Sequence, residues 1–436
     1  MATPEQLERN VRRYILFKIL FNARFYYPVF AILFLDMGLP PEQFALANTV
    51  WAVTIVLLEV PSGALADLVG RRKLLIAAAL LMMVEMLLLL CAPLFGPFVL
   101  ITCILLNRIL SGAAEASASG ADEALAYDSL AALGRADRWP LLLEKLGRYQ
   151  SLAFMFSSIA GALIYDADAL NKIGAWFGAD WNLLPENTRL LPVGLTFISA
   201  ATLFIACLGF REVEHVQRAA DEGIDTWQQM RETGKWLLRS PMPLALIACA
   251  LVYDSAVRIV LTFTSSYYRL IDLPEASYGL WGSGFALIGF FAAPAGRRLV
   301  HALNASRSLA LVGITILGGL IGVAMAIPVW GLLFMVPLGF GFYLLNFVVS
   351  HHLNAVVASK RRATVLSFKG LATNLSYGVL GAAFAGLLAY KHDVTSADPA
   401  TAAFGASLPW LVVYFLISLG FLYLFARKRL DIKNEG

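Results

Sequence analysis

The sequence predicts an all-α membrane protein with twelve transmembrane helices in two pseudo-symmetric six-helix bundles, and three observations carry that prediction. Hydrophobic residues make up 59% of the 436 and charged residues only 15%, at a mean hydropathy of +0.70. That balance excludes a soluble domain. Twelve apolar runs have about the 20 residues needed to cross a hydrocarbon core. The stretch from Arg211 to Arg239 is too charged to enter lipid, and it divides the runs into two sets of six.

The first set is read near residues 14–36, 42–62, 74–92, 97–120, 147–165 and 190–210, and the second near 243–267, 276–294, 308–327, 331–356, 364–389 and 403–425. These give an amino-terminal bundle over 1–210, a connecting segment over 211–242 expected to hold an amphipathic helix at the interface, and a second bundle over 243–436. The amino terminus carries charges of both signs and no small-residue cleavage site, so its first apolar run is read as a retained span. Assigning alternate connections and both termini to the cytoplasm places 26 of the 34 Lys and Arg there and only Lys172, Arg189, Arg269 and Lys391 outside, with the remaining four, Arg24, Arg108, Arg258 and Lys369, inside the spans. That asymmetry sets the expected orientation. The net charge of +4 therefore reports topology, and a nucleic-acid partner is not expected. The long outer loop, 166–189, carries Trp176, Phe177 and Trp181 as interfacial anchors. Cys91, Cys103, Cys207 and Cys249 lie in apolar runs without metal-ligand spacing and read as packing residues. Repetition between the halves is weak: Arg71-Arg72 corresponds to Arg297-Arg298, and Arg148, Ser151 and Ala160-Gly161-Ala162 echo Arg362, Ser367 and Gly381-Ala382-Ala383.

A short polar stretch, GALADLVGRRK, joins the second and third runs. Gly63 and Gly70 permit close approach and turning, Asp67 can cap a helix end or pair with a cation, and Arg71, Arg72 and Lys73 hold the loop on the cytoplasmic side. The spacing of Gly63, Leu65, Asp67, Gly70, Arg71, Arg72 and Lys73 resembles the loop between the second and third helices of the major facilitator superfamily, and the chain is similar to a prokaryotic-type twelve-helix member over nearly its whole length. Leu68 departs from the family, which usually carries a base there. The resemblance implies a cytoplasmic gate, in which the loop meets carboxylates at the inner end of the fourth span and must release them during transport. Glu123 and Asp128 stand at that end, with Asp128 the expected partner of Arg71 or Arg72.

Ionisable groups at bilayer depth cost at least about 2.5 kcal/mol each, which makes them candidates for function. In the fourth span, Arg108, Ser111, Gly112 and Ala114 resemble the family's fourth-helix motif, whose arginine is linked to proton coupling in many members. Glu115 follows Arg108 by two helical turns, which puts the two on one face. The seventh span carries Asp254 and Arg258 at i and i+4, where they can neutralise one another. In the first span Arg24 has Asn22, Tyr26 and Tyr27 beside it, a mixture suited to holding a ligand. The resemblance implies that the first, fourth, seventh and tenth helices line one cavity, with Arg24, Arg108, Glu115, Asp254 and Arg258 around it. Asn346, Lys369 and Asn374 could complete that site, although Lys369 could instead snorkel to the cytoplasmic face. Glu85, in the middle of the third span, is either a protonated carboxyl packed against a neighbour or a further proton site. Glu59 and Asp36 read as span-end anchors, and the adjacent His351 and His352 point to opposite sides of a helix, so no shared metal is expected.

The implied function is that of a secondary active transporter of a small organic molecule working by alternating access, and not of an enzyme. No phosphate-binding glycine loop is present to use ATP, so energy comes from a gradient, and buried carboxylates point to protons, with coupling expected through Glu115 or Asp254 and Glu85 next in line. Proton-coupled efflux is the first reading. An uptake carrier or facilitator for an organic anion, or a lipid-handling relative, stays open, and the fifth span lacks the Gly-Pro motif of common drug antiporters. The expected partners are an anionic or zwitterionic small molecule, protons and membrane lipids, with no cofactor and no metal. The chain is expected as a monomer in a bacterial inner membrane with both termini cytoplasmic.

Overall fold

The computed structural model describes residues 3–94, 96–119, 121–213, 226–357, 359–391 and 398–430, with side chains at a few helical positions left out. Every regular element among them is helical. The helices are α1 (Pro4–Asn22), α2 (Phe30–Asp36), α3 (Pro41–Val69), α4 (Arg71–Cys91), α5 (Pro97–Ala118), α6 (Ala121–Ala132), α7 (Trp139–Tyr165), α8 (Ala167–Trp176), α9 (Pro185–Thr188) and α10 (Leu191–Leu208). They continue as α11 (Thr226–Arg239), α12 (Pro241–Thr262), α13 (Thr264–Leu270), α14 (Tyr278–Ala302), α15 (Ala305–Ala324), α16 (Leu332–Val356), α17 (Ser359–Lys391) and α18 (Pro399–Leu430). Eleven segments among the described residues are long and apolar enough to cross a membrane, and the pair Leu141–Tyr165 with Ala167–Trp176, bent by 89°, makes a twelfth if counted as one span.

The chain divides into two compact units, Met1–Leu39 with Val50–Gly223 and Glu275–Ser283, and Pro40–Thr49 with Ile224–Pro274 and Gly284–Gly436. The boundary therefore differs from a single cut in the connecting segment, because two short stretches group with the other half. Residues 214–225 of that segment lie outside the described residues, and α11 covers its end. In the first unit Phe17 and Phe21 of α1, Leu75, Ala78 and Met82 of α4, Leu125 of α6, and Leu203 and Cys207 of α10 form one apolar core. In the second, Phe263 stacks on Phe404 at 5.1 Å and meets Phe44 edge-on at 5.0 Å. Cys103, Cys207 and Cys249 are buried and unpaired, which fits packing roles.

Two spans differ from the sequence reading in ways that have physical causes. The second runs as a helix to Val69 through Pro61, so the expected polar loop of 63–73 shrinks to one residue, Gly70, at φ 100°. Only a residue without Cβ adopts that conformation readily. The first span starts earlier, at Pro4, and is broken between Asn22 and Tyr27. Pro28 explains the break, since it has no N–H to donate to the Arg24 carbonyl and its ring would clash there. An open backbone inside a membrane is tolerated only where its polar groups find partners. Phe25 N–H donates to Thr196 Oγ1 of α10 at 3.0 Å. Gly161 of α7 lies so close to the Phe25 carbonyl that a Cβ there would stand 1.7 Å from its oxygen.

Gly161→Ala is therefore expected to lower stability by about 1–3 kcal/mol through overpacking against the break, whereas Gly147→Ala on the same helix, where a Cβ meets nothing within 4 Å, leaves the melting temperature of the detergent-solubilised protein unchanged or raises it. Equal shifts in the two variants would remove the close approach as a constraint.

Candidate functional site

Arg24 occupies the break in the first span, and its guanidinium is shared among three partners on α4 and α5. Nη1 donates to Glu85 Oε1 of α4 at 3.2 Å and to Ser111 Oγ of α5 at 3.3 Å, while Nη2 donates to Glu115 Oε1 of α5 at 3.3 Å. The rings of Phe21 and Tyr27 lie 5.4 Å from it, and Tyr26 is within 3.5 Å of Nη1. Arg24 and Glu85 are buried, whereas the Glu115 side chain is 36% exposed. One carboxylate is thus sealed off and the other reachable, with a single guanidinium between them. Glu85 Oε2 is buried with no hydrogen-bond partner among the described residues.

Arg108 takes a different partner from the one its position suggests. Its Nε donates to Asn107 Oδ1 at 2.9 Å, and its guanidinium lies 5.1 and 5.3 Å from the rings of Phe30 and Phe34. Asn107 in turn donates to the Glu85 carbonyl at 2.8 Å, tying α5 to α4. Arg108 forms no ion pair among the described residues, and the cation that meets Glu115 is Arg24. The helical face alone could not reveal this, because the competitor comes from an unwound stretch 91 residues away.

The second unit has its own polar group. Arg258 meets Asp254 at 2.7 Å one turn away and donates to Asn374 Oδ1 at 2.7 Å, with the Tyr377 ring 5.2 Å from its guanidinium. Lys369 is partly buried, its Nζ 3.5 Å from Asn346 Oδ1. Asn346 also lines an open cavity with Gly289, Tyr343, Phe347, Ser350 and His351. Among the described residues no set of His, Cys, Asp or Glu is arranged to hold a metal.

At the remaining end of the first unit, Arg71 Nη1 donates to Asp128 Oδ2 of α6. Lys18 of α1 pairs with Asp122 at 2.6 Å and lies 3.7 Å from Glu123. The side chains of 63–68, Asp67 among them, lie outside the described residues. Glu212, which the sequence did not single out, accepts from the backbone N–H groups of both Arg71 and Arg72, at 3.1 and 3.0 Å. A carboxylate there satisfies the free amides that open α4 and complements its dipole. Gly70 offers no side chain for the purpose, and a Cβ on it would stand 2.8 Å from Glu212 Oε2. Arg72 donates to the Leu208 carbonyl at 3.1 Å, and Asn10 brackets Arg211 by accepting from its N–H at 3.0 Å and donating to its carbonyl at 2.8 Å.

Residues 15–355 match the family model described as Major Facilitator Superfamily. Among solved structures, the nucleoside transporter NupG is similar at TM-score 0.73 and 10% identity, covering 98% of this chain and 100% of that one. A bacterial homolog to human lysosomal transporter Spinster, inward-facing and unoccupied, matches at 0.71 and 14% identity with full coverage of both chains, 100% each. A D-xylose-proton symporter matches at 0.66 and 13%, covering 97% of each. At these identities the likeness establishes the fold. No curated protein sequence matches.

The two ion-pair sites differ in burial, and so in what breaking them costs. Glu85→Ala leaves a buried guanidinium short of charge and is expected to lower stability by about 3–5 kcal/mol. Arg71→Ala breaks a pair whose side chains are 19% and 25% exposed and costs at most about 1 kcal/mol. Thermal unfolding of both variants in one detergent checks the ranking. Equal losses would contradict it.

Proposed function

This chain belongs to the major facilitator superfamily, and from that premise we propose that it is a proton-coupled secondary transporter of an anionic or zwitterionic small organic molecule. The observation that supports this reading is the sharing of Arg24 between the sealed Glu85 and the reachable Glu115. With both carboxylates ionised, the guanidinium is fully engaged. When Glu115 takes up a proton, one of the two claims on Arg24 is removed, and an incompletely paired cation in a poorly hydrated interior is costly. A carboxylate or phosphate on a substrate offers Arg24 the charge-assisted, planar hydrogen bonds that relieve that cost. Tyr26 and Tyr27 beside it are suited to the substrate's apolar part.

The sign of the coupling follows from linkage. A proton on Glu115 favours the anion on Arg24, and the anion equally favours the proton. Solutes that favour each other's binding are carried in the same direction, so an inward proton gradient drives accumulation of the anion. Efflux in exchange for protons requires competition instead, as between a proton and a cationic substrate for Glu115. The arrangement around Arg24 therefore supports the organic-anion uptake reading over the efflux reading. Glu85, closed to water, is assigned the second protonation site, and Arg108 a substrate contact. In the second unit, we assign substrate contact to Arg258, Asn346 and Lys369 and a holding role to Asp254, which occupies Arg258. Gly63, Asp67, Gly70, Arg71, Arg72 and Asp128 are assigned to the cytoplasmic gate, in a monomer whose termini both lie in the cytoplasm of a bacterium.

Proteoliposomes with an entrapped pH dye test the proposal. Addition of carboxylates and phosphates from a metabolite panel is expected to produce internal acidification with the wild type for at least one compound. Glu115→Gln abolishes that acidification while exchange of labelled for unlabelled compound continues, and Arg24→Ala abolishes both. Internal alkalinisation on addition of a cationic compound would instead identify proton exchange and overturn the reading, as would unchanged acidification in Glu115→Gln. The gate has its own expectation: Arg71→Ala slows turnover several-fold with ligand binding retained.

A further inference from the structure

The connecting helix α11 has two unlike faces. Thr233, 1% exposed, and Leu237, 8% exposed, are buried on the side that packs against α12 and α17, and Gly234 passes beside the Phe368 ring. At about 100° per residue, Arg231, Lys235 and Arg239 fall within about 80° of arc on the opposite side. Leu238, 73% exposed, lies about 20° beyond Arg231, at the edge of that arc. All three cations are exposed, and none forms an ion pair among the described residues. Glu232 is the carboxylate at the edge of this face.

The position of the row matters as much as its charge. α11 ends at Arg239, Ser240 precedes the next helix, and Pro241 opens α12, an apolar helix of 22 residues long enough to cross a membrane. The cations thus stand within about three helical turns of the point where the chain enters the hydrocarbon, the depth at which phospholipid headgroups lie.

We propose that the Arg231–Lys235–Arg239 face of α11 docks on the headgroups of anionic phospholipids, with Leu238 inserted at the acyl boundary. Clustered bases next to a span are attracted to an anionic leaflet, each contributing about fivefold to the partition, and a single exposed leucine among them adds apolar burial at the same depth. A second copy of this chain does not fit the face, because a two-fold contact would set one cationic row against its twin.

The full chain in vesicles is the test, with Cys91→Ser removing the partly exposed native thiol and Leu238→Cys carrying an environment-sensitive fluorophore. In vesicles of equimolar phosphatidylcholine and phosphatidylglycerol the probe emission is expected to shift to the blue and to be quenched by brominated acyl chains. Both signals fall in pure phosphatidylcholine and at high salt. The combined variant Arg231→Gln, Lys235→Gln and Arg239→Gln lowers docking in the anionic vesicles by about two orders of magnitude, while a thermal unfolding midpoint in detergent equal to that of the wild type shows a folded protein. Emission independent of phosphatidylglycerol would overturn the proposal. So would a phosphatidylglycerol response that survives the combined variant, or a blue shift that depends on protein-to-lipid ratio, the mark of a second copy.

Discussion

The absence of water in a membrane interior makes every backbone donor and acceptor there depend on an internal partner, and the break in the first span shows what that constraint does to the rest of the first unit. Pro28 removes one helical hydrogen bond. Within the break that follows, the Phe25 N–H needs Thr196, and the Phe25 carbonyl needs the space that Gly161 leaves empty. Three helices are thereby registered against one irregular stretch. Arg24 follows as a result, because a residue in an unwound segment can aim its side chain across two helices at once. It reaches Glu85 and Ser111 on one side and Glu115 on the other. A regular helix would present it to one neighbour.

Charge in this protein is graded by access. Glu85 is sealed, Arg71 with Asp128 is partly open, and Glu115 is the most open of the four. The grading separates groups that fix structure from groups that exchange with solvent. Asn107 adds a neutral link in the same network, holding the Arg108 side chain while bonding the Glu85 carbonyl. The ion pair between Asp254 and Arg258 is of another kind, a contact within one helix between residues one turn apart.

The spans were legible because their apolar length is fixed by the bilayer, and the pairing of Arg71 with Asp128 was within reach because both lie at the same ends of consecutive helices. Asp254 with Arg258 followed from helical periodicity alone. What escaped were contacts made by irregular backbone. The break at Pro28 was hidden inside an apolar run, so Arg24 read as a side chain on a continuous helix, and Glu85 read as isolated because its partner sits 61 residues earlier. Gly70 was read as one turn residue among several, whereas α3 runs up to it and α4 starts immediately after. Glu212 could not be found by motif, since its task is to bind two amides 141 and 140 positions back in the chain.

That cap by Glu212 bears on how the protein is made. Synthesis runs from the amino terminus, so the first amides of α4 have only water for a partner until Glu212 leaves the ribosome. Asn10 waits longer still, for Arg211, 201 residues later. The opening of α4 and the first half of α1 are thus completed by Arg211 and Glu212, which follow α10. Closure of the first unit is in this sense a length measurement, registered when the last of its own residues arrives.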